Sequence, residues 1–563
     1  MGFNGRLSFI KKIQKTIITN NYFLDSYLEV QLDNNNKFYN DRIFIQENDN
    51  IILLDGVILN NHELEKDYNR DTWIETFKVM CSENISEALN KLRGSFCGLI
   101  YNKKENELIL FTDQYNTRKI YFSLIENELI FNTNISSLAE KLKASNELDE
   151  SAAYLLLTFG GTLEERTLFK NIKKLNYGTI FTVHINRKIS KKQYYVFNNS
   201  EDSKISKENA IEKIDFLFRR AIVRQFNKDN EYGYSHIAEL SAGRDSRMTV
   251  WVANTLGYNE NFLATTFSET FENDELIAKQ IANDLKCEWI FKMLNNGNCM
   301  YYIEEITKRV CGEVSLGTLH SYFMKKDIDM SKYGIIHTGQ IGDGVISDYG
   351  DKDLVLSYDN LSKVGYIYST KLLEKVISKK IIKNFYQNEE VFNHVNRGIY
   401  VTNMSEILFD DLYYISPFLD IDLLNYCLKI PKYIRKGNSL YDSWILKKYP
   451  NAAKYKHNGR KIGEKEINMF GKIISISKIM LKLKILKIEK GMNPFDEWYK
   501  NNKKLKSTFD DYFNNNIDEI SNYPELKMDC KYLYESGNAR EKAQVIGLLA
   551  TVKLFMKDNK NGL

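Results

Sequence analysis

One stretch limits the fold of this chain more than any other: His236-Ile-Ala-Glu-Leu-Ser-Ala-Gly-Arg-Asp-Ser-Arg247. A short apolar run ends in Ser241-Ala242-Gly243-Arg244-Asp245-Ser246, and a helical run, Met248 to Leu256, begins at once. A strand, a tight loop of small residues and a helix N-terminus therefore follow one another directly. Such a loop turns several backbone N–H groups toward one point, where the helix dipole also favours an anion. Ser241 and Ser246 add hydroxyl donors, and Asp245 adds a carboxylate able to hold a cation. Phosphate with Mg²⁺ suits this set best. An ordinary strand-to-helix turn capped by Ser and Asp would use the same residues. A Walker loop is excluded, because no Gly-Lys-Ser/Thr follows the turn.

The rest of the chain has two rhythms. Up to about residue 200 it reads as β-rich. Ile51 to Leu59 reads as a strand pair broken at Asp55-Gly56, followed by Phe96–Tyr101, Glu107–Thr112, Lys119–Ser123 and Leu129–Asn132 as a meander of antiparallel strands. The polar stretch Phe197 to Lys207 reads as a linker. Beyond it, strands at His236–Leu240, Phe262–Phe267, Glu288–Met293 and Gly334–Thr338 alternate with helices after Ser246, from about Asp274 to Leu285 and over about Tyr301–Cys311. That alternation implies a parallel sheet covered by helices, with ligands at the carboxyl ends of the strands. From about 360 onward the pattern is mostly helical. The expected fold class is an antiparallel β-sandwich-like domain over 1–200, then an α/β parallel-sheet domain with a helical C-terminal part over 201–563.

Length and charge exclude several classes. A chain of 563 residues can bury large cores. A formal net charge of +4 gives no reason to expect nucleic acid. The seven Cys, at 81, 97, 287, 299, 311, 427 and 530, contain no CxxC pair, so neither a zinc cage nor a disulfide framework is indicated. This, with no signal-peptide core after Met1 and no run of about 18 apolar residues, points to a cytoplasmic protein without a transmembrane segment. The Lys-rich run Gly471–Lys490 reads as a solvated amphipathic helix on its own domain, with a membrane surface as the other reading.

A second loop repeats the grammar of the first. Ile335-Ile-His-Thr-Gly-Gln-Ile-Gly-Asp-Gly344 is an apolar strand followed by a Gly-rich loop with one acid. If both loops top the same sheet, Asp245 and Asp343 face each other and can share Mg²⁺ with ATP phosphates, because Mg²⁺ takes few protein ligands. The other reading of Asp343 is an Asx-type turn.

At this point the chain resembles the asparagine synthetase family. The loop at Ser241–Ser246 is similar to the Ser-Gly-Gly-x-Asp-Ser pyrophosphate loop of ATP pyrophosphatases. Leu92–Tyr101 and Asp113–Phe122 resemble the end of the family's glutaminase domain, and Thr167–Gly178 resembles its Thr-Leu-Phe-x-x-Ile-x-x-Leu-x-x-Gly bridge. Thr266–Ser268, Asn273–Glu275, Gly339–Asp343 and Ser416–Asp420 continue the likeness. The resemblance implies an amidotransferase-like first domain and an adenylating ATP-pyrophosphatase second one. In such a ligase ATP adenylates a carboxylate substrate, pyrophosphate leaves with Mg²⁺, and an amine nucleophile displaces AMP. By carry-over, Ser241, Ala242, Gly243, Arg244, Asp245 and Ser246 cradle the phosphates, and Asp245 and Asp343 hold the metal. Leu240, Thr266, Thr338 and Gly339 border the nucleotide. The partners implied are the carboxylate and the amine, on a peptide or small molecule. A homodimer or a biosynthetic partner protein is compatible with it.

The departures from the family are as informative. Members that use glutamine carry Cys after Met1; here position 2 is Gly2 and the first Cys is Cys81. The family's Asn-Gly-Glu segment appears as Asp55-Gly56-Val57, and an anionic Asp would repel a developing oxyanion. In the second domain Gln340 replaces an acid that helps prime the nucleophile. Ser443 stands where the catalytic Lys aligns, leaving Lys436, Lys447 or Lys448 to supply the charge, of which Lys447 is the choice. The sequence therefore reads as a ligase without glutaminase chemistry, of the kind that forms β-lactams or lasso-peptide macrolactams. An ammonia-dependent asparagine synthetase and a nucleotide-binding scaffold without turnover are the alternatives.

Overall fold

The computed structural model describes every residue except 1, 13–14, 36, 270–272, 317–321, 323–324, 399–411, 457–460, 464–493 and 557–563. The Lys-rich run Gly471–Lys490 lies outside the described residues. No helix among the described residues is long and apolar enough to cross a membrane.

The N-terminal strands are β1 (Phe3–Ser8), β2 (Ile17–Ile18), β3 (Tyr22–Leu24), β4 (Leu28–Leu32), β5 (Ile43–Glu47), β6 (Asn50–Ile58), β7 (Gly94–Asn102), β8 (Glu107–Thr112), β9 (Tyr121–Ile125), β10 (Glu128–Asn132), β11 (Lys173–Lys174), β12 (Thr179–His184) and β13 (Ile189–Gln193). They form two antiparallel sheets, ordered β11-β9-β10-β1-β4-β3-β2 and β13-β12-β8-β7-β6-β5. Their inner faces share one core, in which Leu7, Val30, Leu129 and Phe131 of the first meet Leu53, Leu99, Leu110 and Phe181 of the second. That is the alternation expected of packed sheets. The helices Asn61–Asp67 and Trp73–Lys91 cover the outer face of the second sheet through Leu64, Trp73, Phe77 and Leu89.

Two expectations are corrected here. Ile51–Leu59 is not a broken pair; β6 runs unbroken through Asp55 and Gly56 and pairs residue by residue with β7. Gly56 has φ +143, and a Cβ on it would lie 2.1 Å from the Ser95 carbonyl. The glycine serves close approach of two strands, where Asp-Gly elsewhere signals a turn. The meander is also split: β7 and β8 belong to one sheet, β9 and β10 to the other. The crossing at Asp113–Arg118 is ordered by the buried Asp113 carboxylate. It accepts from the N–H groups of Phe96, Tyr115, Thr117 and Arg118 and from the Thr117 hydroxyl. The Phe197–Lys207 stretch has no regular structure before the Lys207–Glu231 helix, yet it is tied down: Asn199 is buried and donates to Asn388 and Glu390.

The second half holds a parallel sheet of β14 (Ser235–Glu239), β15 (Phe262–Ser268), β16 (Glu288–Met293), β17 (Tyr333–His337) and β18 (Tyr413–Ile415), in the order β16-β15-β14-β17-β18. All four pairings are parallel. The sequence shows the first four strands; β18 is an addition. The helices Arg244–Thr255, Asn273–Leu285 and Ile303–Val310 fall where the alternation requires them. One sheet face packs on the Lys207–Glu231 helix, through Ile222 and Phe226 against Ala238 and Phe262. The other packs Ile237, Leu263 and Ile336 into a core shared with the C-terminal helices. That core also takes in Leu155, Leu156 and Leu157 of the Glu150–Phe159 helix and Ile546, Leu548 and Leu549 of the Ala539–Phe555 helix.

Candidate active site

β14 and β17 are neighbours in the sheet, so their C-terminal loops lie side by side. The loop after β14 leads into the Arg244–Thr255 helix, and Gly243, in extended conformation, precedes its first residue. The loop after β17 leads into the short Gly342–Ile346 helix through Ile341, which has φ +53. Between them opens a cavity of about 340 Å³. Leu240, Ser241, Gly243, Arg244, Asp245, Ser246, Thr266, Gly339, Gln340 and Asp343 all line it, together with Glu239. Ala242 and Thr338 sit behind the lining, both buried.

The cradle is pre-formed by its own hydrogen bonds. The Ser241 N–H donates to Ser246 Oγ at 2.9 Å, the two Ser hydroxyls lie 2.8 Å apart, and the Gly243 N–H donates to Ser241 Oγ at 3.1 Å. The Ala242 N–H donates to Asp274 Oδ1 at 2.8 Å. Ala242 does not adopt a left-handed backbone, so a methyl where the family has Gly fits without strain. Arg247 is buried beneath the loop and donates to the carbonyls of Ala242, Ala452 and Tyr455 at 2.5, 3.0 and 3.2 Å. Burial, with Arg244 nearby, lowers its guanidinium to about 10. It braces the loop from behind. Arg244 faces the cavity and pairs with Asp442 at 2.9 Å.

The two loops meet through the backbone of the second, while the Asp343 carboxylate accepts from the Gly344 N–H at 2.9 Å. The Asp343 N–H donates to Asp245 Oδ2 at 3.0 Å, and the Tyr441 hydroxyl donates to Asp245 Oδ1 at 2.9 Å. Burial pushes the Asp245 carboxyl up to about 7, and the charge of Asp343 adds to that shift. Gly339 makes the approach possible: a Cβ there would lie 2.2 Å from the Ser246 nitrogen. Thr249 on the first helix donates to the Thr338 carbonyl at 3.1 Å, and Ser416, just past β18, donates to the Gln340 carbonyl at 3.1 Å. Thr266 donates to the Leu240 carbonyl at 2.7 Å, which fixes the β15 side of the mouth.

Lys447 is not brought to this cavity. It lies on the Ser439–Lys448 helix, half exposed, and pairs with Glu212 at 2.9 Å; Lys448 binds the same carboxylate. Ser443 donates to the Ser439 carbonyl of its own helix, and Lys436 is exposed. The residues of this helix that reach the site are Tyr441 and Asp442, which the sequence reading passed over. No sequence signal marks them, since on a helix they stand about 200° and 100° round the axis from Ser443.

The N-terminal half holds a second buried cluster. Asp55 is fully buried and receives Arg42 Nε at 2.7 Å and Arg118 Nη2 at 3.0 Å. Burial alone would raise its carboxyl, but Arg118 and Arg42 outweigh it and hold the group below its usual range. The Arg118 guanidinium also lies 5.0 Å over the Tyr413 ring of β18, joining the two halves. At Gly2 a Cβ would lie 1.8 Å from Thr133 Oγ1, so position 2 is closed to any side chain in this arrangement.

Residues 40–195 match the model of a glutamine amidotransferase domain. Over 272 residues the chain is 27% identical to asparagine synthetase [glutamine-hydrolyzing] 1 of Bacillus subtilis strain 168. That alignment covers 46% of this chain and 41% of the relative, so the chain spans about two-fifths of the relative's length. Among solved structures, a glutamine phosphoribosylpyrophosphate amidotransferase from B. subtilis, complexed with ADP and GMP, is 9% identical over 52% of this chain and 75% of that one, with a TM-score of 0.23. A structure described as the allosteric regulatory enzyme of purine biosynthesis is 8% identical over 52% and 74%, with a TM-score of 0.24.

Proposed function

We propose that the chain is an ATP- and Mg²⁺-dependent ligase of the asparagine synthetase type, which adenylates a carboxylate, releases pyrophosphate and passes the acyl group to an amine without hydrolysing glutamine. The observation that carries this reading is the meeting of two Gly-containing loops, each following a parallel strand, with Asp343 bonded to Asp245 across one cavity. The donor set is all oxygen, two carboxylates beside two hydroxyls, which suits a hard cation such as Mg²⁺. Asp245 and Asp343 would hold that ion. When bound it would neutralise the charge that builds on departing pyrophosphate. Ser241, Ser246 and the helix start at Arg244 present fixed donors to the same phosphates, so no solvent need reorganise as the bond breaks. Arg244, half released from Asp442 by a competing phosphate, would add a second cation.

Two observations support an amine that does not come from glutamine. Asp55, where the family has an oxyanion-stabilising Asn, is locked between Arg42 and Arg118. The loop that grips glutamine in the family has no counterpart in the sequence. The amidotransferase-like domain keeps its fold and serves as a support for the parallel sheet. The amine then belongs to the substrate itself, as in amide formation on peptides, natural products or sugars. The 27% likeness to an asparagine synthetase favours a second reading, with aspartate as carboxylate and ammonia as nucleophile.

Pyrophosphate release tests the proposal. Wild type is expected to release pyrophosphate and AMP from ATP with a cognate carboxylate, and Asp245→Asn to lose this by 100-fold or so. Aspartate with ammonium separates the two readings. Tight ATP binding with no pyrophosphate from any carboxylate would favour the scaffold instead. Glutamate formed from glutamine by the wild type would contradict the glutamine-independent reading.

A further inference from the structure

The Ser439–Lys448 helix touches the cradle through two adjacent side chains, and their partners are adjacent too. Tyr441 holds Asp245 at 2.9 Å, and Asp442 holds Arg244 at 2.9 Å. Tyr441 is fully buried. Its ring stacks on Trp444 at 5.7 Å and meets Phe418 edge-on at 6.0 Å. Those contacts need only the ring, and a phenylalanine would make them equally well. The hydroxyl is a separate feature, spent on one oxygen of Asp245. The other oxygen accepts from the Asp343 N–H at 3.0 Å. The carboxylate is thus gripped at both ends, by groups about a hundred residues to its C-terminal side and about two hundred, and its plane is set before any ligand arrives. An ionised carboxylate has about four lone-pair sites, so each oxygen keeps one for a cation.

We propose that Tyr441 is a positioning residue, whose hydroxyl holds Asp245 in the orientation from which it binds Mg²⁺ together with the nucleotide. The inference rests on Asp245 being a Mg²⁺ ligand, as read above. Groups that hydrogen-bond a metal ligand typically set metal affinity by about 10–100-fold. A tyrosine that merely anchors the helix would have no such effect.

The test uses the full chain as wild type, Tyr441→Phe and Asp442→Asn, titrated calorimetrically with the non-hydrolysable analogue AMP-PNP across a series of Mg²⁺ concentrations. Tyr441→Phe keeps the buried ring and is expected to keep the melting temperature and the AMP-PNP affinity at saturating Mg²⁺. The Mg²⁺ concentration that gives half-maximal nucleotide binding is expected to rise about 10–100-fold. Asp442→Asn loosens the same helix from the same loop without touching Asp245; it frees Arg244, so it is expected to change AMP-PNP affinity at saturating Mg²⁺ but not to raise the Mg²⁺ midpoint. Electron paramagnetic resonance of Mn²⁺ in the nucleotide complex is expected to change line shape in Tyr441→Phe alone. An unmoved Mg²⁺ midpoint in Tyr441→Phe, or an equal shift in Asp442→Asn, overturns the role given to Tyr441. Absence of Mg²⁺-dependent binding in the wild type overturns the ligase reading itself, and this inference with it.

Discussion

At the scale of single residues, Asp245 holds its charge at a cost. Its carboxyl is raised to about 7, first by burial and then by Asp343. Between its ordinary value of 3.8 and about 7, the folded protein keeps a proton that the unfolded chain has released. Stability from this group therefore falls as pH rises through that window and stays low above it. Asp245→Asn is expected to melt higher than wild type at pH 8, by about 1–3 kcal/mol allowing for partial exposure, and equally at pH 4. Equal melting at both pH values would mean the carboxylate is not under strain. Gly339 is the complementary case, a position defined by what is missing. Gly339→Ala would press a methyl against Ser246 and Asp245, 2.2 and 2.3 Å away on backbone atoms. The expected result is a loss of about 1–3 kcal/mol in chemical denaturation, with nucleotide affinity reduced at least tenfold.

At the scale of elements, β6 carries a buried charge in the middle of a strand. Asp55 sits mid-strand between two arginines. Asp55→Asn leaves two buried guanidiniums short of a counter-charge. It is expected to cost about 3 kcal/mol and to produce no glutamate from glutamine. A gain of glutaminase activity would show that Asp55 alone had silenced the site. The same strand marks a limit of sequence reading. Asp-Gly between apolar runs has the grammar of a hairpin turn, and only the partner strand reveals that Gly56 is there for proximity. The first four parallel strands are legible because they alternate with helical runs, and the two that frame the cavity end at loops of small residues. β18 is not, because Tyr413–Ile415 is three residues long and makes its case through pairing with β17. In the site, Ser241, Asp245 and Asp343 were legible from loop grammar. Tyr441 was not, because its role depends on which segment folds beneath the loop; Arg247, which flanks the loop in sequence as a candidate phosphate cation, is turned behind it onto backbone carbonyls. Lys447 was misplaced for a related reason: position along a helix does not say which face meets the site.

At the scale of the whole molecule, the halves are held together by shared packing as well as by the Arg118–Tyr413 contact. The Glu150–Phe159 helix lies among the C-terminal helices, and Gln544 donates to the Leu156 carbonyl at 3.2 Å. Leu156→Ala is expected to cost about 2–5 kcal/mol and to lower one cooperative melt of both halves. Two separate transitions, only the first of them shifted, would show that the halves unfold independently. The same shared core has a consequence for how the chain is made. The Glu150–Phe159 helix leaves the ribosome long before the Ala539–Phe555 helix that covers it, so its apolar side must wait through most of synthesis without its partner. At elongation rates of about 5–20 residues per second that interval is on the order of 20–80 s. Contacts so distant in sequence also close slowly once both ends exist. The nascent chain thus carries a long-lived sticky intermediate, and its yield in a cell will depend on what shields that helix until the Ala539–Phe555 helix arrives.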